Sequence, residues 1–152
     1  MKILDFLSPE RIIPNMDSRD KKGVIDELAR AVAETTAADT AEIARVLLER
    51  EQLGSTGIGD GIAIPHGRLS SIDSIVMGFG SSKQGIEYDA IDDNPVFIFF
   101  LLLTPENSTG GHLRVLAQIS KLLKNKQFKT NLSNAESTEE ILEIIQEADE
   151  DF

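Results

Sequence analysis

Pro95-Val96-Phe97-Ile98-Phe99-Phe100-Leu101-Leu102-Leu103-Thr104-Pro105 contains an unbroken apolar run from Val96 to Leu103. That length suits a strand, and an apolar run with no polar alternation suits a strand buried on both faces. The flanking prolines set its limits. A strand covered on both sides needs helices above and below its sheet, so the run predicts a three-layer α/β/α arrangement with a small mixed sheet flanked by helices.

Working outward, Ile75, Met77 and Phe79 alternate as a half-buried strand. Gly78 and Gly80 interrupt it and mark close packing. Ile86 and Tyr88 predict another short strand. Beyond the central run, Leu113, Leu116, Ile119, Leu122 and Leu123 recur at helical spacing. His112 then falls in the first turn of that helix. Unpaired N–H groups and the positive dipole end there favour an anion and a neutral imidazole. His112 is therefore either a helix-start residue exposed by chance or a group suited to steadying an anion.

Upstream lies EQLGSTGIGDGIAIPHGR, Glu51 to Arg68. Ile62-Ala63-Ile64 suits a short buried strand. Pro65 is expected to end its ladder and to bias Ile64 toward an extended conformation. His66 would then project from the strand end, with Gly67 leaving room beside the ring for another molecule. The ring is either a satisfied structural histidine or a nucleophile. The glycines are not a P-loop, since no Gly-Lys-Ser/Thr follows, and not a dinucleotide fingerprint, since they follow a helix rather than a strand.

Two helices precede this stretch. Asp17 or Ser18 opens the first, with Val24, Ile25, Leu28 and Val32 as its buried stripe and Lys21, Lys22, Asp26 and Glu27 as a solvated face. The second begins near Asp39, which has capping-box spacing to Glu42, and stops at Gly54. Arg50 lies in its last turn. A cation is favoured there by the helix dipole alone; the alternative is that it reaches a group held at His66. The chain opens with a helical turn at Ser8-Pro9 and an edge strand at Ile12-Ile13. Phe128 and Leu132 pack a short helix, and Ser137 and Glu140 cap a last one. Residues 147–152 are expected to fray as an acidic tail.

Bulk properties narrow the function. A chain of 152 residues predicts one domain over 1–152. No apolar run can span a bilayer, so no direct membrane insertion is expected. The opening does not resemble a secretory signal. With no cysteine there are no disulfides or thiolates, which is compatible with a cytoplasmic location. A formal charge of −11 argues against nucleic acid as a partner. Zinc is disfavoured with two histidines and no cysteine. Hydrolysis by His66 with Asp60 lacks a completing nucleophile or metal.

The Glu51–Gly67 stretch resembles the phosphohistidine signature of the type 2 (mannitol/fructose/nitrogen-regulatory) EIIA domains of the bacterial phosphoenolpyruvate-dependent phosphotransferase system. Glu51, Ile58-Gly59, Ile62-Ala63-Ile64 and Pro65-His66-Gly67 occupy the places of that pattern. The resemblance extends over nearly the whole chain. It implies that His66 accepts a phosphoryl group on Nε2 and that His112 and Arg50 stabilise it; on charge grounds, backbone N–H groups of the glycine turn are expected to assist. It implies no cofactor, metal or ATP at this step. The implied donor is phosphorylated HPr or its nitrogen-branch paralogue, and the implied recipients are an EIIB domain or regulatory target proteins. Leu7-Ser8-Pro9-Glu10, Lys21-Lys22 and the GSTGIGDGIAIPHG core resemble the nitrogen-regulatory branch, with sugar uptake as the alternative.

Overall fold

A computed structural model describes residues 2–107 and 109–149, with the side chains of Thr109 and His112 lying outside that description. The central run is β6 (Val96–Pro105), and from Ile98 to Leu103 each of its side chains is no more than 1% exposed. Its faces alternate. Phe99, Leu101 and Leu103 enter one apolar core with α1 (Lys21–Ala33) and α2 (Thr40–Gln52). Ile98, Phe100 and Leu102 enter a second core with α3 (Thr109–Leu123), α4 (Lys126–Asn134) and α5 (Thr138–Asp149). The three layers follow from one strand that is apolar on both sides.

Among the described residues the sheet has six strands and is mixed. β5 (Val76–Ile86) runs antiparallel to β6, and β1 (Ile12–Ile13) runs parallel to β5 at the edge. Across β6 lie β3 (Ile62–Ala63) and β4 (His66–Leu69), both parallel to it, with β2 (Gly57–Gly59) antiparallel to β3. The β2–β3 connection is Asp60-Gly61, with φ of 57° and 79°. Two successive positive φ values make the tight turn whose twist suits a hairpin.

Several expectations need correction. α1 starts at Lys21, because Asp20, not Asp17 or Ser18, accepts from the Gly23 N–H at 2.8 Å. Ile86 ends β5, past a register shift after Ser81, rather than forming a separate strand with Tyr88. In α3, Leu116, Ile119, Leu122 and Leu123 pack on the second core as expected and Val115 joins them, but Leu113 is 62% exposed. α5 runs on to Asp149, so residues 147–149 are helical rather than frayed. Asp149 is buried and accepts from the Ile3 and Leu4 N–H groups at 3.0 Å each. The rest of the tail lies outside the described residues.

Other expectations match. Asp39 accepts from the Glu42 N–H at 2.7 Å and starts α2. The Ser137 hydroxyl accepts from the Glu140 N–H at 3.2 Å, and the Glu140 carboxylate accepts from the Glu136 N–H. Gly80 permits a close approach: a Cβ there would lie 2.5 Å from the Met16 sulfur.

Candidate functional site

His66 opens β4 rather than projecting beyond a strand end. Ala63 pairs with Phe99 and His66 with Leu102, so the pairing offset is the same on both sides of Ile64-Pro65. β3 and β4 are thus one path along β6 with a gap in its ladder. Pro65 has no N–H to give, although its carbonyl still accepts from the Leu102 N–H at 2.9 Å. In the gap, Ile64 turns its N–H to the Thr56 carbonyl at 3.0 Å. Its own carbonyl meets His66 Nδ1 at 2.8 Å.

That last contact fixes the ring. A carbonyl can only accept, so Nδ1 carries the proton and Nε2 carries the lone pair. Arg50 Nε donates to Nε2 at 3.2 Å, while Arg50 Nη1 donates to the Gly54 carbonyl at 2.8 Å. Burial is the largest influence on the imidazole and lowers its pKa below 6.5; the Arg50 charge acts the same way, against the Ile64 bond and the Glu51 charge. The ring is thus held neutral in a single tautomer with its lone pair turned toward a guanidinium, the protonation state that a nucleophilic imidazole requires.

Val46, Arg50, Leu53, His66, Gly67 and Arg68 line a surface hollow around the ring. Gly67 does not make that room. A Cβ at Gly67 would lie 2.4 Å from Val46 Cγ1, so the glycine admits α2 against β4 and brings Arg50 within reach of His66. The structure therefore brings two of the three expected site residues together. His112 falls in the first turn of α3, and its side chain lies outside the described residues. Two of the glycine-turn donors are engaged elsewhere: the Asp60 N–H with Asp92 at 3.1 Å, and the Gly57 N–H with Ser55 Oγ at 3.0 Å.

Beneath Arg50 is a polar group that the sequence reading did not assemble. Glu51 is nearly buried, and its carboxylate meets Lys21 Nζ at 3.0 Å, the Thr56 N–H at 3.1 Å and the Thr56 hydroxyl. The Tyr88 hydroxyl lies 3.2 Å from Thr56 Oγ1, and Lys21 Nζ sits 4.9 Å from the Tyr88 ring centroid. Burial and the Glu51 charge push the Tyr88 phenol well above its ordinary pKa. Lys21 therefore leaves the solvated face assigned to it. One signal was available: an acid in the last turn of a helix opposes the dipole and needs another reason to be there. Among the described residues, no group of three His, Cys, Asp or Glu gathers to hold a metal.

Residues 5–148 match the family model described as "Phosphoenolpyruvate-dependent sugar phosphotransferase system, EIIA 2". The chain belongs to this EIIA family. The EIIA chain is 36% identical over 145 residues to a nitrogen regulatory protein of Bradyrhizobium diazoefficiens, covering 95% of each. It is 35% identical over 150 residues to the fructose-specific EIIABC component of Bacillus subtilis, covering 98% of this chain and 24% of that longer protein. Among solved structures, the crystal structure of nitrogen regulatory protein IIA-Ntr from Neisseria meningitidis superposes with a TM-score of 0.87 at 33% identity, covering 93% of the EIIA chain and 97% of the other. The chain is thus similar to nitrogen regulatory proteins and is a component of phosphotransferase type. No helix among the described residues is long and apolar enough to cross a membrane.

Proposed function

We propose that this EIIA protein accepts a phosphoryl group on His66 Nε2 from a phosphorylated HPr-type carrier, and that its phosphorylation state controls protein partners. The observation that carries the reading is the Nδ1–H bond to the Ile64 carbonyl, which leaves the Nε2 lone pair facing Arg50. In the transfer, that lone pair forms the new N–P bond as the donor's N–P bond breaks and returns its electron pair to the donor ring. The ring gains positive character, and the Ile64 carbonyl steadies it through Nδ1–H. Arg50 releases Nε2 and turns its donors to the phosphoryl oxygens, with Gly54 still holding Nη1. Charge on those oxygens is what the site must balance. His112, at the start of α3, is assigned the same supporting task; a helix N-terminus favours the anion.

The regulatory role is supported by the similarity to the Bradyrhizobium and Neisseria nitrogen regulatory proteins. The similarity to the Bacillus fructose component favours a second reading, in which the phosphoryl passes to an EIIB domain during sugar uptake. Intact-mass measurement after incubation with phosphoenolpyruvate, enzyme I and either HPr or its nitrogen-branch relative tests both. One acid-labile phosphoryl group on the wild type and none on His66→Ala is the expected result, with the nitrogen-branch donor preferred. Equal labelling of His66→Ala would move the acceptor elsewhere, and preference for HPr would favour the sugar reading.

A further inference from the structure

We infer that Glu51 and Thr56 are positioning residues that set both reacting partners of the site, the Arg50 guanidinium and the His66 ring, through one short loop. The inference rests on the phosphocarrier reading for its consequence in transfer, but its geometry stands apart from that reading.

Thr56 is the junction. Its hydroxyl donates its single proton to Glu51 Oε2, so the Tyr88 hydroxyl must be the donor in the 3.2 Å contact with Thr56 Oγ1. The Thr56 N–H donates to Glu51 Oε1, which Lys21 Nζ also reaches. The Thr56 hydroxyl, the Thr56 N–H and the Lys21 ammonium thus point at the carboxylate, the Tyr88 hydroxyl points at Thr56 Oγ1, and Thr56 is held by both its hydroxyl and its N–H, with 3% of its surface exposed. A buried polar group satisfied in this way has one arrangement, because any other leaves a partner unpaired.

Two paths leave this junction. Toward α2, the residues between Glu51 and Thr56 form a loop closed at both ends by the Glu51 side chain. Within it, the Gly54 carbonyl accepts from Arg50 Nη1 at 2.8 Å. The loop thereby decides where the guanidinium aims its Nε. Toward the sheet, the Thr56 carbonyl takes the Ile64 N–H at 3.0 Å. This anchors Ile64 at its N–H, and the carbonyl of the same residue, in the next peptide unit across its Cα, is the one that fixes the His66 tautomer at 2.8 Å. One side chain therefore controls the donor on Nε2 and the acceptor on Nδ1. Neither Glu51 nor Thr56 touches the ring by these contacts, so each acts through another group.

Two measurements on the full-length chain test this. Nitrogen-15 NMR of the imidazole reads the tautomer without any phosphoryl donor. Wild type is expected to show a protonated Nδ1 and a lone-pair Nε2, and Thr56→Val to show averaged ring nitrogens. Single-turnover transfer from a phosphorylated HPr-type carrier is expected to lose about tenfold to a hundredfold in maximal rate in Thr56→Val, the scale of a small misplacement of reacting groups. The donor concentration giving half that rate should not change. Thr56→Ser, which keeps the hydroxyl, is expected to restore both readouts. A folded Thr56→Val with the wild-type tautomer and rate overturns the inference. If the wild type itself takes no phosphoryl, the phosphocarrier reading fails while the NMR arm still decides the positioning role. If Thr56→Val does not fold, Glu51→Gln carries the same test. Loss of folding in both variants assigns the group to stability and overturns the inference.

Discussion

At the scale of single residues, the site depends on one proton being on the right nitrogen. The Ile64 carbonyl keeps it on Nδ1, and Arg50 faces the lone pair. Arg50→Ala is expected to slow single-turnover transfer by about a hundredfold, as loss of one charge-stabilising donor does elsewhere. Arg50→Lys should recover little, because an ammonium cannot reproduce the planar fork that holds Gly54 and His66 together. A rate equal to wild type in either variant would take Arg50 out of the site. The depressed His66 pKa has a stability consequence. Between the folded-state value and the ordinary 6.5, the unfolded chain binds the proton and the folded chain does not. The His66 contribution is therefore complete above about 6.5 and is lost as pH falls through the folded value. Urea midpoints at neutral and mildly acid pH should fall further for wild type than for His66→Gln.

At the scale of elements, the site is made by the contact of α2 with β4. Gly67→Ala would drive a methyl toward Val46. Overpacking of this kind is expected to lower stability by about 1–3 kcal/mol in chemical denaturation and to slow transfer by displacing Arg50. Adding Val46→Ala should return much of both. Elements were legible where a strong local rule applied. The apolar run gave β6, Asp39 gave the start of α2, and Pro-His-Gly drew attention to His66. Less legible were features set by pairing. That β4 resumes the path of β3 after Pro65 depends on β6, some 36 residues away in sequence by the pairing of Ile62 with Ile98, and no local pattern encodes it. Gly67 was read as space for a ligand because sequence alone does not say which neighbour fills a gap. The Asp60-Gly61 turn was missed, although Asp-Gly between short apolar stretches is a strong hairpin signal. The polar group around Glu51 joins residues from Lys21 to Tyr88, and only the fold brings them together.

At the scale of the whole molecule, the two apolar cores lie on opposite faces of the sheet, and the start and end of the described chain are joined. Asp149 on α5 accepts from two N–H groups of the opening 3-10 turn, Ile3–Asp5. Asp149→Ala would leave those donors unpaired beside the buried Ile3, a loss of about 1–3 kcal/mol. Hydrogen exchange should quicken at Ile3 and Leu4 and in α5, with little change in α1. Unchanged protection at both places would show that the joint contributes nothing.

The unbroken offset across Ile64-Pro65 restricts how such a chain can vary in length. Loops such as 70–75 touch no ladder on β6 and can gain or lose a residue at small cost. One residue inserted between Ala63 and His66 is different. β3 would keep its frame, but β4 would arrive one position late, and alternation along a strand would turn the imidazole off the face it shares with Leu102, the side of α3, to the opposite face, where Gly67 now packs on Val46 of α2. The spacing of the signature is in this sense a ruler, read against β6, and a copying error in it would erase the site while leaving every one of its residues present.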